Sequence, residues 1–219
     1  MNMLRQQNKY LRIIAECNFA RPRVSNKQII RFAQVSPASV TEMTRHLQLA
    51  GWVHRRRYTG VTLTTKGQAL AGKLLERYRL CEVFLAQQLK LPLPQIPGQA
   101  WAMAATLTPE TTTALTTFLD HPQTSPFGGS LNPTDILNDS EMTRLSEVAP
   151  DTTVIFHHYL ETPDMVTYLE HLELPLGQPI HLIKQDPALN LLYIDWNDHD
   201  TVALDLAAAD YIYTQASTE

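Results

Sequence analysis

The sequence predicts a mainly helical protein with small β parts. The expected order is an N-terminal winged helix, a helical middle and a small C-terminal β-barrel-like domain. Three observations carry this reading. The first fifty residues hold short amphipathic helices with strong capping signals. A basic, partly alternating stretch with a turn at Thr59-Gly60 follows them. Beyond about residue 145, short β-type runs alternate with turns around one helical piece.

In chain order, YLRIIAE (Tyr10 to Glu16) has helical spacing, with Leu11, Ile14 and Ala15 on one stripe. RPRVS breaks it, and Ser25 is suited to cap a short helix, NKQIIRFAQ. In VSPASVTEMTRHLQLAGW, Ser36 is an N-cap, Pro37 sits at the first helical position, and Val35 and Val40 are spaced as a hydrophobic staple. Val40, Met43, Leu47 and Ala50 form the apolar stripe, and Gly51 stops the helix. WVHRRRYTGVTLT reads as two strands joined by a tight turn, and a helix-turn-helix plus such a ribbon is a winged helix. Thr64 or Thr65 then caps a long helix, TKGQALAGKLLERYRLCEVFLAQQL, which LPLPQIPG ends. Helices are expected from about Gly98 and over TPETTTALTTFLDH, with Ala114, Leu115, Phe118 and Leu119 apolar. The Gly-, Pro-, Asn- and Ser-rich stretch to about Met142 reads as a linker, with Gly128-Gly129 as a turn. TTVIFHHYL, QPIHLIKQ, NLLYIDW and TVALDL are the β-type runs, around the helical PDMVTYLEHLEL.

Charge divides the chain. Residues 1–80 carry fifteen Lys/Arg against three acids, Glu16, Glu42 and Glu76, a balance of +12. The other 139 residues carry −16, which gives the overall −4. A basic module on an acidic one points to nucleic acid as the partner of the first part. The chain has no apolar run approaching the roughly 18 residues of a membrane span and no signal-peptide-like start, and it has two cysteines, Cys17 and Cys81. These features predict a cytoplasmic protein without a disulfide framework.

On the helix that follows Ser36, the face opposite the apolar stripe carries Ala38, Glu42 and Arg45, with Ser39, Thr41 and His46 beside them. In a major groove, the Ala38 methyl would touch a thymine, Glu42 would accept from cytosine N4, and Arg45 would take a phosphate or a guanine. Arg55, Arg56 and Arg57 lead into the wing and suit the phosphate backbone.

KYLRIIAE, SPASVTEMTRHLQLAGWV, LTTKGQALA, YRLCEVFL and SPFGGSLNP, taken together and in this order, resemble the diphtheria-toxin-repressor and manganese-transport-regulator family of metal-dependent repressors. The resemblance implies a winged-helix DNA-binding domain (1–72), a helical dimerisation domain (73–125), a linker (126–144) and an SH3-like, FeoA-like domain (145–219). It implies a cytoplasmic homodimer that binds near-palindromic double-stranded DNA, most simply as a repressor in metal homeostasis. It places base contacts on Ser36, Ala38, Ser39 and Glu42.

The family's cofactor would be Mn²⁺ or Fe²⁺, and here the sequence departs from the pattern. The ligand positions on the helix near Gly98 are Trp101, Ala104 and Ala105. The N-terminal ligand falls on Lys9, and the two histidines fall on Tyr78 and Pro97. Glu82 alone keeps a ligand-type side chain, and a divalent metal needs several convergent donors. The expectation is therefore a regulator with no metal cofactor at the usual helical site. Lys9, with Arg12 nearby, would face Glu82 where the cation stood, and Trp101 would fill the space. Two alternatives stay open. One is a metal-responsive repressor that uses Glu82 with C-terminal acids or histidines. The other is an adaptor that kept the fold without reading DNA.

No catalytic constellation is present, so the chain is not expected to be an enzyme. His157 and His158, adjacent on a predicted strand, should point to opposite faces and share no metal. Cys81 reads as a buried, inert thiol.

Overall fold

Helix α1 spans Met3–Asn18 in the computed structural model, which describes residues 3–21, 23–56, 59–132, 134–138, 140–196 and 201–217. It begins a full two turns before the predicted Tyr10, and its buried stripe holds Leu11, Ile14 and Ala15 as expected. Helix α2 (Asn26–Ala33) opens with a capping box: Ser25 accepts from the Gln28 N–H, and the Gln28 side chain accepts from the Ser25 N–H. Helix α3 (Pro37–Leu49) starts at Ser36, whose hydroxyl accepts from the Ser39 N–H at 3.2 Å. Val40, Met43 and Leu47 are buried. Thr44 is fully buried beside them, because its hydroxyl donates to the Val40 carbonyl at 2.8 Å. Ala50, placed on the stripe by its spacing, is the half-buried cap instead.

The wing is an antiparallel pair, β1 (Val53–Arg56) and β2 (Gly60–Leu63). Val24 and Val61 exchange backbone hydrogen bonds of 2.9 and 2.8 Å, which fastens the wing to the loop before α2. Gly60 makes this approach possible. Its φ is +108°, and a Cβ there would stand 2.1 Å from the Val24 oxygen.

Thr64 caps the long helix α4 (Thr65–Gln87). Helix α5 (Ile96–Ala104) begins two residues before the predicted Gly98, with Pro97 in its first turn where no N–H is needed. Helix α6 (Pro109–Phe118) is capped by Thr108. Both α5 and α6 pack on α4.

The stretch read as a linker is not free chain. Phe127, Leu131 and Ile136 are buried, and Arg79 of α4 donates to the carbonyls of Ser130 and Ile136 at 2.7 and 3.4 Å. Gly128 (φ +83°) lies so close to the C-terminal domain that a Cβ would be 2.1 Å from the His157 oxygen. The polar composition that suggested a linker reflects turns held by main-chain contacts.

The C-terminal domain runs β3 (Met142–Arg144), β4 (Thr152–Tyr159), α7 (Pro163–His171), β5 (Pro179–Asp186), β6 (Leu191–Asp195), β7 (Val202–Asp205), α8 (Leu206–Ala209) and β8 (Ile212–Ala216). The six strands are antiparallel in the order β3-β8-β4-β5-β6-β7. Sequence periodicity missed β3, α8 and β8. In β8, Ile212, Tyr213 and Thr214 are all buried, so the strand shows no in/out alternation.

One apolar core continues from α1 into this sheet. At the seam Arg21 pairs with Asp210 at 2.6 Å and lies 4.4 Å from the Tyr211 ring centroid. Phe32 meets Tyr211 edge-on at 4.5 Å, and the Tyr213 hydroxyl donates to the Glu16 carbonyl at 3.3 Å. Among the described residues no helix is long and apolar enough to cross a membrane.

Candidate nucleic-acid interface and the charged junction behind it

Burial of Val40, Met43, Thr44 and Leu47 turns the rest of α3 outward. Ser36, Ala38, Ser39, Thr41, Glu42 and Arg45 are all exposed on it. Their side chains differ in freedom. Ser36 is committed to its cap and also lies 2.9 Å from the Ser39 hydroxyl. Thr41 returns its hydroxyl to the Pro37 carbonyl at 3.0 Å. Glu42 stands 3.7 Å from His46, one helical turn on, an exposed pairing of small strength. Arg56 is exposed and Arg55 half-buried, and both line an open cleft together with Thr41, Gln48, Ser25 and Asn26. The structure thus brings Arg55, Arg56 and, of the predicted α3 readers, Thr41 to one concave surface, while Ser36, Ala38, Ser39, Glu42 and Arg45 are exposed outside that cleft. Arg57 lies outside the described residues.

Behind this surface, α1 meets α4, α5 and the loop after β4. The cation there is Arg12. Its guanidinium lies 3.1 Å from a Glu16 oxygen and 3.6 Å from Glu161. Its Cζ is 4.1 Å from the Tyr78 ring centroid and 5.0 Å from that of Trp101, and the two rings meet edge-on at 6.2 Å. Burial works against the Arg12 charge, but Glu16, Tyr78, Glu161 and Glu82 outweigh it and its pKa is raised. Glu82 is fully buried on α4, and neither of its oxygens has a hydrogen-bond partner. Burial, followed by the charge of Glu161, holds its carboxyl well above the usual range. Glu16 is pushed up to about 8 by burial, against the pull of Arg12.

The expected Lys9–Glu82 facing is not what forms. The Lys9 ammonium donates to the Ala33 carbonyl at the end of α2, at 3.3 Å, and its pKa is lowered by burial and by Arg12. Position 9 looks toward α2, and position 12, most of a turn later, looks toward α4 and α5. Tyr78 is fully buried, Pro97 and Ala104 are buried, and Trp101 is half-buried in the junction. Ala105 is the exposed C-cap of α5 and takes no part.

Residues 64–131 match a family described as iron dependent repressor, metal binding and dimerisation domain, and residues 5–60 match the MarR family. A transcriptional regulator of Lysinibacillus sphaericus, MntR, is 40% identical over 68 residues, which cover 28% of this chain and 49% of that one. Among solved structures, the manganese regulator SloR superposes with a TM-score of 0.83 at 28% identity, over 96% of this chain and 98% of that one. The metal-dependent transcriptional regulator MtsR superposes at 0.86 with 25% identity, over 96% and 98%. In fold over nearly its whole length, and in sequence over part of it, the chain is similar to the diphtheria-toxin-repressor and manganese-transport-regulator family. It is a DNA-binding, helix-turn-helix transcriptional regulator and not an enzyme, with the family's N-terminal reading domain and C-terminal SH3-like domain.

The junction is poorly made for a divalent metal. Trp101, Ala104, Ala105 and Pro97 offer no donor, and Lys9 is engaged with α2. Among the described residues no three of His, Cys, Asp and Glu are disposed to hold a metal. A C-terminal acid, Glu161, does come within electrostatic reach of Glu82, as the non-standard ligand set requires, but the Arg12 guanidinium stands with them. These residues do not fit a metal.

His157 and His158 correct another expectation. A β-bulge between Phe156 and His158 breaks the two-residue alternation and brings the two Nδ1 atoms to 3.0 Å. His158 is buried against Tyr213 and Phe19, and burial lowers the pKa of both rings. Cys17 and Cys81 are buried free thiols with raised pKa values, Cys81 at about 12 through burial and the neighbouring Glu82. Sequence reasoning missed Glu16, Glu161, Arg21 and Asp210. Their one legible signal was an isolated ionisable residue on an otherwise apolar helix face, as Glu16 is in RIIAEC.

Proposed function

We propose that the protein is a sequence-specific transcriptional repressor that acts as a cytoplasmic homodimer on near-palindromic DNA without needing a metal at the usual helical site. The observation that carries this is the exposed polar face of α3 beside a cleft that Thr41 and Gln48 share with Arg55 and Arg56, backed by a junction in which Arg12 pairs with Glu16 and Glu161. Ala38, Ser39, Thr41, Glu42 and Arg45 read base edges, with Ser36 shaping the start of the helix. Arg55, Arg56 and Arg57 grip phosphates. Phe118 at the end of α6 and Leu89 just past the end of α4 support the dimer: they are 64% and 54% exposed, and large exposed apolar side chains call for a partner. The two reading helices would then lie about one DNA turn, or a multiple of it, apart.

The test starts by selecting a duplex from a random library with the wild-type protein, then measuring affinity for it with chelator and with added Mn²⁺ or Fe²⁺. Equal affinities are expected. A tenfold or larger gain on adding either ion would favour the metal-responsive alternative. Failure to select any sequence would favour the adaptor.

A further inference from the structure

We propose that Arg12 is the resident cation of the junction, a positioning residue whose fixed charge clips α1, and with it the reading head, to α4, α5 and the C-terminal domain. The inference rests on the metal-independent reading above and names the residue responsible for it.

The contacts converge from four elements. Glu16 comes from α1 itself, Tyr78 and Glu82 from α4, Trp101 from α5, and Glu161 from the loop between β4 and α7. The Arg12 side chain is only 13% exposed, and those of Glu16 and Glu161 are 7% and 8% exposed. Carboxyl groups drawn together out of water stay charged only with a cation among them and otherwise take up protons. A guanidinium is suited to the place. It is always charged, its Nη1 stands between Glu16 and Glu161, and its face lies over the Tyr78 and Trp101 rings. Arg79 also acts electrostatically on Glu16 and Glu82, but it spends its hydrogen bonds on the carbonyls of Ser130 and Ile136. The Arg12 Nε, the Glu82 oxygens, the Tyr78 hydroxyl and one Glu161 oxygen make no hydrogen bond of good geometry, although Tyr78 acts on Glu82 and Glu161 on Glu16 at close range, so the cluster is not a closed hydrogen-bond network. A divalent ion entering here would meet the guanidinium at close range in a low-dielectric setting.

The test compares Arg12→Met and Arg12→Lys with wild type on the selected duplex, in chelator, with circular dichroism and gel filtration confirming fold and assembly. The two replacements have similar length and differ in charge. Arg12→Met should bind at least tenfold more weakly, and Arg12→Lys should remain within about threefold of wild type. Wild-type affinity in Arg12→Met, or equal losses in both variants, would overturn the proposal, since a space-filling role would not distinguish them. If Arg12→Met does not fold, Glu161→Gln decides: a folded protein that binds at least threefold more weakly supports the clip, and unchanged binding overturns it. Wild type indifferent to metal, together with unaffected Arg12 variants, would sink only this inference. A tenfold gain of wild type with Mn²⁺ would sink the metal-independent reading and this inference with it.

Discussion

The reading surface and the junction behind it lie on adjacent helices and are built on opposite principles. On α3 the polar side chains are exposed, separately solvated and bonded only to their own helix, as Thr41 is to Pro37 and Ser36 to Ser39. At the junction Arg12 and the carboxyl groups of Glu16, Glu82 and Glu161 are buried together and come from distant parts of the chain. The surface can therefore change one residue at a time, with effects on DNA choice and little on stability. The junction cannot, because each buried charge is tolerated only through the others.

The largest expected effect that would break this contrast is at Trp101. Replacing it by Ala removes a half-buried ring that meets both Tyr78 and Arg12, and should cost about 2–3 kcal/mol in chemical denaturation, with weaker DNA binding. Lys9→Ala, which loses one bond to Ala33, should cost less than about 1 kcal/mol. A larger loss from Lys9 than from Trp101 would put the junction's strength in the wrong place.

Next comes pH. The Glu16 carboxyl is raised from 4.5 to about 8, so between these values the folded protein holds a proton that the unfolded chain releases. Its contribution is complete below about pH 4.5 and is lost as pH rises through 8, with a slope of at most about 1.4 kcal/mol per pH unit. Glu16→Gln should flatten this part of the stability curve, with Arg12, Glu161 and Arg79 still facing the position. A curve that keeps its slope in the variant would assign the proton elsewhere.

Smaller again is the wing. Arg56→Ala should weaken binding to all duplexes alike and reduce the slope of log affinity against log salt by about 0.9, without moving the denaturation midpoint. An unchanged salt slope would remove Arg56 from the phosphate contacts. The smallest stability change belongs to Ser39→Ala, within about 0.5 kcal/mol, while the preferred base in the selected duplex shifts. Loss of stability without a change of preference would make Ser39 a helix-start residue rather than a reader.

Some of this architecture is local physics and was legible as such. The capping box at Ser25 and Gln28, the Ser36-Pro37 helix start, the Thr64 cap and the hairpin around Gly60 each depend on neighbours a few residues away. The exposed face of α3 follows from 3.6-residue periodicity alone. Repeat spacing failed where the environment is not two-faced. Thr44 is buried by returning its hydroxyl to Val40, and β8 is covered on both sides.

By itself, the sequence determined most of the helices, the wing hairpin, the basic N-terminal part and the absence of the usual metal donors at Pro97, Trp101, Ala104 and Ala105, since these are properties of residue types at fixed spacings. Only the tertiary structure decided which cation stands in the junction. Lys9 and Arg12 are both basic residues on one helix, and nothing in their spacing tells that the first reaches back to Ala33 while the second meets Glu161, 149 residues away along the chain. The bulge that brings His157 and His158 together and the packing of Gly128 against it were likewise settled by long-range contact. The physical reason is common to all three: buried charge and close backbone approach are governed by distances between segments, and a linear sequence carries those distances only implicitly.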